Sequence, residues 1–187
     1  MKNVAIMGGA FDPVHMDHVT VARLCLKNNL CDEVWFVPSP DRWDKTLNAS
    51  PEDRFAMLEM VTSDEPRFVL SDEEIRQGDF RGSYVFLKGL AGKYPDVNFR
   101  LLVGADSYGN IPHWRDPLHF YGTEYNGHLL LRDFGLIVFA RTATRSLISR
   151  NTSRRDMPRC FGSGKRKVLW ASSRVLRYAG SCSTTGA

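Results

Sequence analysis

The first eighteen residues constrain the fold more than any other part of the sequence. Residues 4–7 are four consecutive apolar residues, and they run directly into Gly8 and Gly9. A continuous apolar run of this kind is typical of a strand covered on both faces, as in a parallel sheet. Val19 and the apolar residues that follow it at helical spacing predict a helix over residues 19–28. The order strand, glycine loop, helix favours an α/β protein.

Short apolar runs and helical patterns continue to alternate along the chain. Ser50 and Pro51, followed by two acidic residues, have the composition of a helix start with serine as the N-cap. We predict further strands over residues 33–37, 68–70, 99–103, 135–140 and 167–170, and further helices over residues 54–62 and 83–93. Repeated strand–helix–strand units imply a Rossmann-like, doubly wound parallel sheet with helices on both faces. With 187 residues, the simplest division is a single domain over residues 1–187.

The residues that could take part in binding or catalysis lie directly after the predicted strands. In a parallel sheet the carboxyl ends of the strands meet at one edge, and ligands bind there near the switch point of the strand order. We expect the following residues to converge at that edge: Gly8, Gly9, Pro38, Gly104, Asp106, Arg141, Ser172 and Ser173. The sequence therefore predicts one site built from the ends of several strands.

The first of these loops has the groups that bind phosphates. Glycine tolerates positive φ and lets a ligand approach the backbone, and the start of the following helix directs free N–H groups to the same place. His15 and His18 are three residues apart, so both can lie on one face of that helix start. Imidazoles donate hydrogen bonds and gain charge readily beside an anion. A histidine pair alone is more often packing, but after Gly8 and Gly9 it indicates a phosphate site.

Composition restricts the classes of partner and compartment. Every apolar run falls short of the ~20 residues of a membrane helix, and the start lacks the pattern of a signal peptide. The four cysteines show no C-x-x-C spacing, so we expect free thiols in the cytoplasm or the nucleus. Residues 1–140 carry a net charge of −6 and residues 141–187 one of +10. The basic end suggests an anionic partner, a nucleic acid or the triphosphate of a nucleotide, or else a solvated tail.

The C-terminal part has less regular patterning than the rest. Residues 142–167 are rich in Arg, Ser and Gly with little periodicity, which predicts a long basic loop. Residues 178–187 have no core-like pattern and are expected to form an irregular tail. Nothing in these patterns indicates an oligomeric state.

Several segments resemble one family. The pattern G-G-x-F-D-P-x-H-x-x-H over residues 8–18 resembles the signature of nucleotidyltransferases with an H-x-G-H motif. Further segments resemble, in the same order, those of nicotinate- and nicotinamide-mononucleotide adenylyltransferases: residues 37–45, 50–58, 83–84, 99–114, 138–141 and 171–177. The resemblance is collinear over about residues 4–177, nearly the whole chain.

The resemblance implies a reaction. AMP would pass from ATP to nicotinate or nicotinamide mononucleotide, giving the dinucleotide and pyrophosphate in NAD biosynthesis. Catalysis of this kind is mainly positioning and stabilisation of spread negative charge. The resemblance also implies a Mg²⁺ ion with the triphosphate, held mostly by phosphate and water, as Mg²⁺ prefers. We therefore expect no cluster of metal-ligating residues in the protein.

The resemblance also assigns roles to residues. His15 and His18 would hold the ATP phosphates, with His18 nearest the transferred group, and Arg177 would clamp the β and γ phosphates as a third catalytic residue. Asp106 would accept hydrogen bonds from a ribose, and Trp114 would stack on the pyridine ring. The ATP set is Gly8, Gly9, His15, His18, Gly104, Asp106, Ser172, Ser173 and Arg177. The acceptor set is Gly9, Ala10, Phe11, Lys45, Ser83, Tyr84 and Trp114.

The sequence departs from the family pattern at three places. Asp17 stands where the family has glycine, and its charge should weaken ATP binding by on the order of 1 kcal/mol. Arg174 stands where the family has threonine, and residues 38–45 lack the usual P-P-H-K. These departures, with the short stretch after Arg177, keep open a nucleotide-binding relative that no longer catalyses.

Two further alternatives have sequence arguments against them. Another acceptor, such as phosphopantetheine or a polyol phosphate, does not explain residues 104–114, which resemble the segment that binds the pyridine ring. A nucleic-acid-binding role for the basic end lacks the interleaved aromatic residues that stack on bases. The preference for the acid or the amide acceptor is not predicted, because backbone donors leave no trace in a sequence.

Overall fold

The computed structural model describes residues 1–116, 118–122, 124–141, 159–161 and 166–171. Its strands are β1 (Lys2–Gly9), β2 (Glu33–Pro38), β3 (Phe68–Leu70), β4 (Val97–Gly104), β5 (Gly135–Arg141), β6 (Arg159–Phe161) and β7 (Arg166–Ala171). Its helices are α1 (Met16–Lys27), α2 (Pro51–Thr62), α3 (Glu73–Arg76), α4 (Ser83–Lys93), α5 (Ala105–Tyr108) and α6 (Gly127–Asp133), with a 3₁₀ turn at Ile111–His113.

The described strands form one sheet of order β3-β2-β1-β4-β5-β7-β6. The five strands β3, β2, β1, β4 and β5 are parallel. Side chains of β1 alternate between two buried clusters, with Val4 and Ile6 in the cluster that α4 and α6 cover. Ala5 and Met7 lie in the cluster that α1 and α2 cover. The predicted Rossmann-like sheet with helices on both faces is confirmed.

Local signals predicted most of these elements. Each predicted strand is present with its ends shifted by no more than two residues. Helix α2 begins as predicted, because the Ser50 hydroxyl accepts a hydrogen bond from the Asp53 N–H at 3.1 Å and Pro51 occupies the first turn. The sequence missed α3, α5 and α6, which have four, four and seven residues and are too short for a helical apolar period.

The last two strands differ from the sequence prediction. β6 lies within the residues predicted as a loop, and β7 runs antiparallel to β5, with Ala171 beside Leu136 and Arg166 beside Arg141. The carboxyl end of β7 therefore lies at the edge where the parallel strands begin. The prediction that this strand ends at the same edge as the others is wrong, because the pairing direction is decided between strands and not within one.

No helix among the described ranges combines the length and the apolar character that crossing a membrane requires.

Candidate active site

A cavity of about 800 Å³ opens at the carboxyl ends of β1 and β4. These strands are neighbours in the sheet, but the chain proceeds from β1 towards β2 on one side and from β4 towards β5 on the other. Gly8 and Gly9 line the cavity from β1, and Gly104 and Asp106 line it from β4 and α5. The cavity thus lies at the switch point of the strand order, where open α/β sheets bind ligands.

Neither Gly8 nor Gly9 has a positive φ, whereas Phe11 in the β1–α1 loop has one of 51°. A Cβ atom at Gly9 would lie 3.6 Å from the Phe11 ring, and one at Gly8 would lie 4.0 Å from the Val37 carbonyl oxygen. Both are ordinary contacts, so packing within the chain does not require glycine here. Close approach of a ligand to the backbone would explain the two glycines, whereas packing within the chain does not.

His15 and His18 both line the cavity, as predicted, and their rings stack with centroids 3.8 Å apart. The His15 N–H donates to Nδ1 of His18 at 3.3 Å, and the His18 N–H donates to the His15 carbonyl oxygen at 2.9 Å. Because Nδ1 of His18 accepts, the neutral ring carries its proton on Nε2. The start of α1 therefore presents an oriented N–H donor of His18.

Asp17 also lines the cavity, between the two histidines, and is half-buried. Its carboxylate thus lies in the same cavity as the two imidazoles that the family resemblance assigns to phosphates. The position that departs most from the family pattern is part of the site itself.

The close fit of Asp106 over the end of β4 explains Gly104. A Cβ atom at Gly104 would overlap Oδ1 of Asp106 and would lie 3.4 Å from the Phe139 ring. Any larger residue would displace the carboxylate that the family resemblance assigns to a ribose. Gly104 is therefore required by the placement of Asp106.

Arg54 of α2 is a buried residue that holds the loops around the cavity. Its Nη1 donates to the carbonyl oxygens of Ala10 and Ser39, each at 2.7 Å, and its Nε donates to that of Ala49 at 3.2 Å. The side chain is fully buried, and a carboxylate oxygen of Asp41 lies 3.7 Å away. Sequence reasoning does not find these bonds, because two of the three carbonyls belong to segments distant in the chain.

A second link joins the first loop to α2. The Asp12 carboxylate accepts hydrogen bonds from the backbone N–H groups of Asn48 and Ala49. The Asn48 backbone bond is the largest of the effects that hold the pKa of Asp12 below its ordinary value. The β1–α1 loop is thereby tied through Asp12 to the segment that precedes α2.

Five of the seven predicted acceptor residues line the cavity: Gly9, Ala10, Lys45, Ser83 and Trp114. The side chains of Phe11 and Tyr84 do not, because both are buried in the core at 4 % and 3 % exposure. The Tyr84 hydroxyl donates to Oδ2 of Asp133 at 2.7 Å. The prediction that Tyr84 faces the acceptor is corrected: in α4, Ser83 lines the cavity, whereas the next residue, Tyr84, is buried in the core.

The structure adds cavity residues that the sequence did not single out: Ser39, Arg42, Asp44, Glu74, Phe80, His113 and Arg115. Arg42 donates to both oxygens of Asp44 at 2.8 and 2.7 Å, and its guanidinium lies 3.9 Å from the Phe80 ring centre. The segment after β2 departs from the family's P-P-H-K, and that departure could have drawn attention to Arg42 and Asp44. Glu74 had only its place after β3 as a signal.

Three predicted phosphate ligands, Ser172, Ser173 and Arg177, lie outside the described residues, as does Arg174.

The donor set of the cavity fits a magnesium ion that arrives with a nucleotide. Among the described residues, no three His, Cys, Asp or Glu side chains gather closely enough to form a metal site of their own. Asp17 and Asp106 do supply carboxylate oxygens to the cavity. Mg²⁺ is commonly bound through one or two carboxylates, phosphates and water, so these residues suit such an ion.

Comparison with known proteins agrees with this geometry. Residues 6–173 match the family described as cytidylyltransferase-like. The chain is 36% identical over 138 residues to the probable nicotinate-nucleotide adenylyltransferase of Frankia alni, covering 70% of this chain and 73% of that protein. It is 37% identical over 120 residues to the protein of the same name from Shouchella clausii, covering 62% of this chain and 61% of that one.

A solved structure gives the same result for the fold. The Plasmodium falciparum nicotinic acid mononucleotide adenylyltransferase complexed with NaAD superposes with a TM-score of 0.65 at 25% sequence identity. The match covers 75% of this chain and 65% of that one. The chain therefore belongs to the cytidylyltransferase-like family, and within it to the nicotinate-nucleotide adenylyltransferases.

Proposed function

We propose that this chain transfers AMP from ATP to a pyridine mononucleotide. The products are pyrophosphate and the dinucleotide of NAD biosynthesis. A phosphate oxygen of the acceptor attacks the α-phosphorus in line, and pyrophosphate leaves. The observation that carries the proposal is that the cavity at the switch point is lined by the Gly8–Gly9 loop and both histidines as well as by Asp106 and Trp114. One cavity then has a phosphate end and an aromatic end, as two nucleotides require.

His18 is the best-placed group at the phosphate end. The His15 N–H donates to Nδ1 of His18, so the proton of the neutral ring is on Nε2, from which it would donate to a phosphoryl oxygen. A donor held in this way needs no reorganisation as charge spreads over the transferred group. The nearby start of α1 adds the positive end of a helix dipole. The resemblance also assigns Arg177, Ser172 and Ser173 to the β and γ phosphates, but β7 ends at the opposite edge of the sheet, so these three residues are left out of the proposal.

Trp114 and Ser83 form the acceptor end, with Lys45 at an exposed position. Trp114 is half-buried, so one part of its indole is packed and another part is open to stack on a pyridine ring. Such stacking contributes about 1 kcal/mol beyond the area it buries. The Lys45 ammonium suits the acceptor phosphate.

Mg²⁺ is proposed as the ion that accompanies ATP. When bound, it would neutralise charge on the leaving pyrophosphate. Asp17 and Asp106 are the residues that would contact it or its water shell. The single-domain organisation of residues 1–187 is proposed from the length of the chain.

The proposal is tested by supplying ATP and Mg²⁺ with nicotinate mononucleotide or nicotinamide mononucleotide and measuring pyrophosphate release. We expect turnover with at least one acceptor, and a loss of ~10²-fold or more in His18→Ala with little change in stability. His128→Ala is the matched control, because His128 is exposed on α6 and does not line the cavity. A folded protein that releases no pyrophosphate with either acceptor would contradict the proposal, as would a wild-type rate in His18→Ala.

Asp17 favours a second candidate, a relative that binds nucleotide without turnover. Its carboxylate lies in the cavity where it would repel bound phosphates. Calorimetry separates the two candidates: ATP binding with no pyrophosphate release supports the second.

A further inference from the structure

Two adjacent glutamates in α3 have different surroundings. Oε1 of Glu73 accepts hydrogen bonds from Lys93 Nζ at 2.9 Å and from the Tyr94 hydroxyl at 2.8 Å. Glu74 is 5 % exposed and lines the cavity. Within the described part of the chain, no hydrogen-bond donor reaches the Glu74 carboxyl group. Glu73 is therefore a satisfied surface residue, whereas Glu74 is a buried polar group whose open side is the cavity.

A series of contacts connects Glu74 with the acceptor end of that cavity. The charge of Arg42 acts on Glu74, and the Arg42 guanidinium covers the Phe80 ring at 3.9 Å. Gly82 is two residues after Phe80, and a Cβ atom there would lie 3.0 Å from the carbonyl oxygen of Arg115. Since Arg115 directly follows Trp114, these contacts link Glu74 with the residues proposed to bind the pyridine ring.

The surroundings of Glu74 determine the chemical form of its carboxyl group. A buried carboxylate without hydrogen bonds is costly, so the group stays neutral or finds a partner. Burial raises the pKa of Glu74 to about 8, although the positive charge of Arg42 acts in the opposite direction. At neutral pH this carboxyl group is therefore mainly protonated and is a hydrogen-bond donor.

We propose that Glu74 is a specificity-determining residue of the acceptor site, whose carboxyl group donates a hydrogen bond to a carboxylate on the acceptor's pyridine ring. This inference rests on the proposed function and states which acceptor the site prefers. A bond from a neutral donor to an anion is stronger than one to a neutral amide oxygen, so the acid form of the mononucleotide is favoured. Once Glu74 ionises, it repels that carboxylate but can accept from the N–H of an amide.

Several charged groups surround Glu74, and their effects on acceptor preference must be separated from that of Glu74. Helix α3 contributes Glu73 and Arg76, with Asp72 directly before it. The loop after β2 contributes Arg42, which donates two hydrogen bonds to Asp44. The other ionisable groups that line the cavity are His15, Asp17, His18, Lys45, Asp106, His113 and Arg115. Titration of these groups can also change acceptor preference, so the test needs a variant that removes only the ionisation of Glu74.

The test is the ratio of kcat/KM for nicotinate mononucleotide to that for nicotinamide mononucleotide between pH 6.5 and 9. We expect the wild-type ratio to fall about tenfold or more as pH rises. Glu74→Gln keeps a hydrogen-bond donor that cannot ionise. Its ratio should therefore stay constant as pH rises, whereas the wild-type ratio falls. Glu73→Gln is the matched control one residue away and should follow the wild type.

Two outcomes would overturn the inference: a wild-type ratio that does not change with pH, or one that falls equally in Glu74→Gln. The wild-type measurement needs no variant, so a misfolded variant does not block the test. If turnover is absent, calorimetric Kd values for the two mononucleotides give the same ratio. Absence of binding by both would contradict the proposed function, whereas binding with a constant ratio would contradict this inference alone.

Discussion

At the scale of single residues, Asp17 is the position whose chemistry conflicts most with its surroundings. It is half-buried in the cavity beside two histidines that face proposed phosphates. Two unit charges 4 Å apart repel by about 1 kcal/mol in a water-like medium and by more where water is excluded. We therefore expect Asp17 to lower affinity for ATP when no cation lies between the two charges.

We expect Asp17→Gly and Asp17→Asn to bind ATP several-fold more tightly than the wild type when Mg²⁺ is absent, because the repulsion is lost. The gain should shrink at high ionic strength as salt screens the charges. Calorimetry at two salt concentrations measures both effects. Glu52→Gln, an equal charge change at an exposed position in α2, is the control. Unchanged or weaker ATP binding in both Asp17 variants would contradict the expected repulsion.

At the scale of elements, the start of α6 determines where Trp114 lies. The Asn126 N–H donates to the Trp114 carbonyl oxygen at 3.1 Å. Gly127 packs so closely on the 3₁₀ turn that a Cβ atom there would overlap the carbonyl oxygen of Ile111. The aromatic end of the cavity thus depends on the fit between a helix start and a turn.

Gly127→Ala should lower the free energy of unfolding by ~2 kcal/mol or more, because backbone atoms must move to make room. The movement should also change Trp114 and weaken binding of the mononucleotide. Gly89→Ala is the control: Gly89 is exposed in α4, and a Cβ atom there would meet no other segment within 4 Å, so alanine should stabilise by ~0.5–1 kcal/mol. Urea unfolding of both variants tests the pair, and equal stability would refute the steric argument.

At the scale of the whole molecule, ionisation of Glu74 couples stability to pH. Its pKa is about 8 in the folded protein against an ordinary value of 4.5, so the folded state keeps a proton that the unfolded state loses between these values. The free energy of unfolding therefore falls as pH rises from 4.5 to 8. Hydrogen bonds with Arg42 and Arg132 lower the pKa values of Asp44 and Asp133. These two groups act in the opposite direction under acid conditions, where the stability that they contribute is lost as pH falls.

We expect the wild type to lose stability between pH 5 and pH 8 relative to Glu74→Gln, by an amount on the order of a few kcal/mol. Urea unfolding of both proteins at pH 5, 6.5 and 8 measures the difference. Parallel curves for the two proteins would show that Glu74 ionises with an ordinary pKa.

Local patterns were sufficient for much of the fold and for part of the site. The apolar run of β1 and the Ser50 N-cap are set by neighbouring residues, so sequence reasoning found both. Gly9, His15 and Trp114 follow a strand or belong to a motif, and they line the cavity as predicted. Residues such as these could be found because the edge of a parallel sheet gathers whatever follows its strands.

The amino-acid sequence by itself determined the parallel α/β core, the edge at which the cavity opens and the histidine pair at its phosphate end. Tertiary structure alone decided that β7 runs antiparallel, that Arg54 bonds to three carbonyls, that Tyr84 is buried and that Glu74 faces the cavity with no hydrogen-bond donor from the described residues. The physical reason is range. Strand and helix signals act between residues a few positions apart, whereas pairing direction, burial and hydrogen-bond partners depend on segments that meet only in the folded chain.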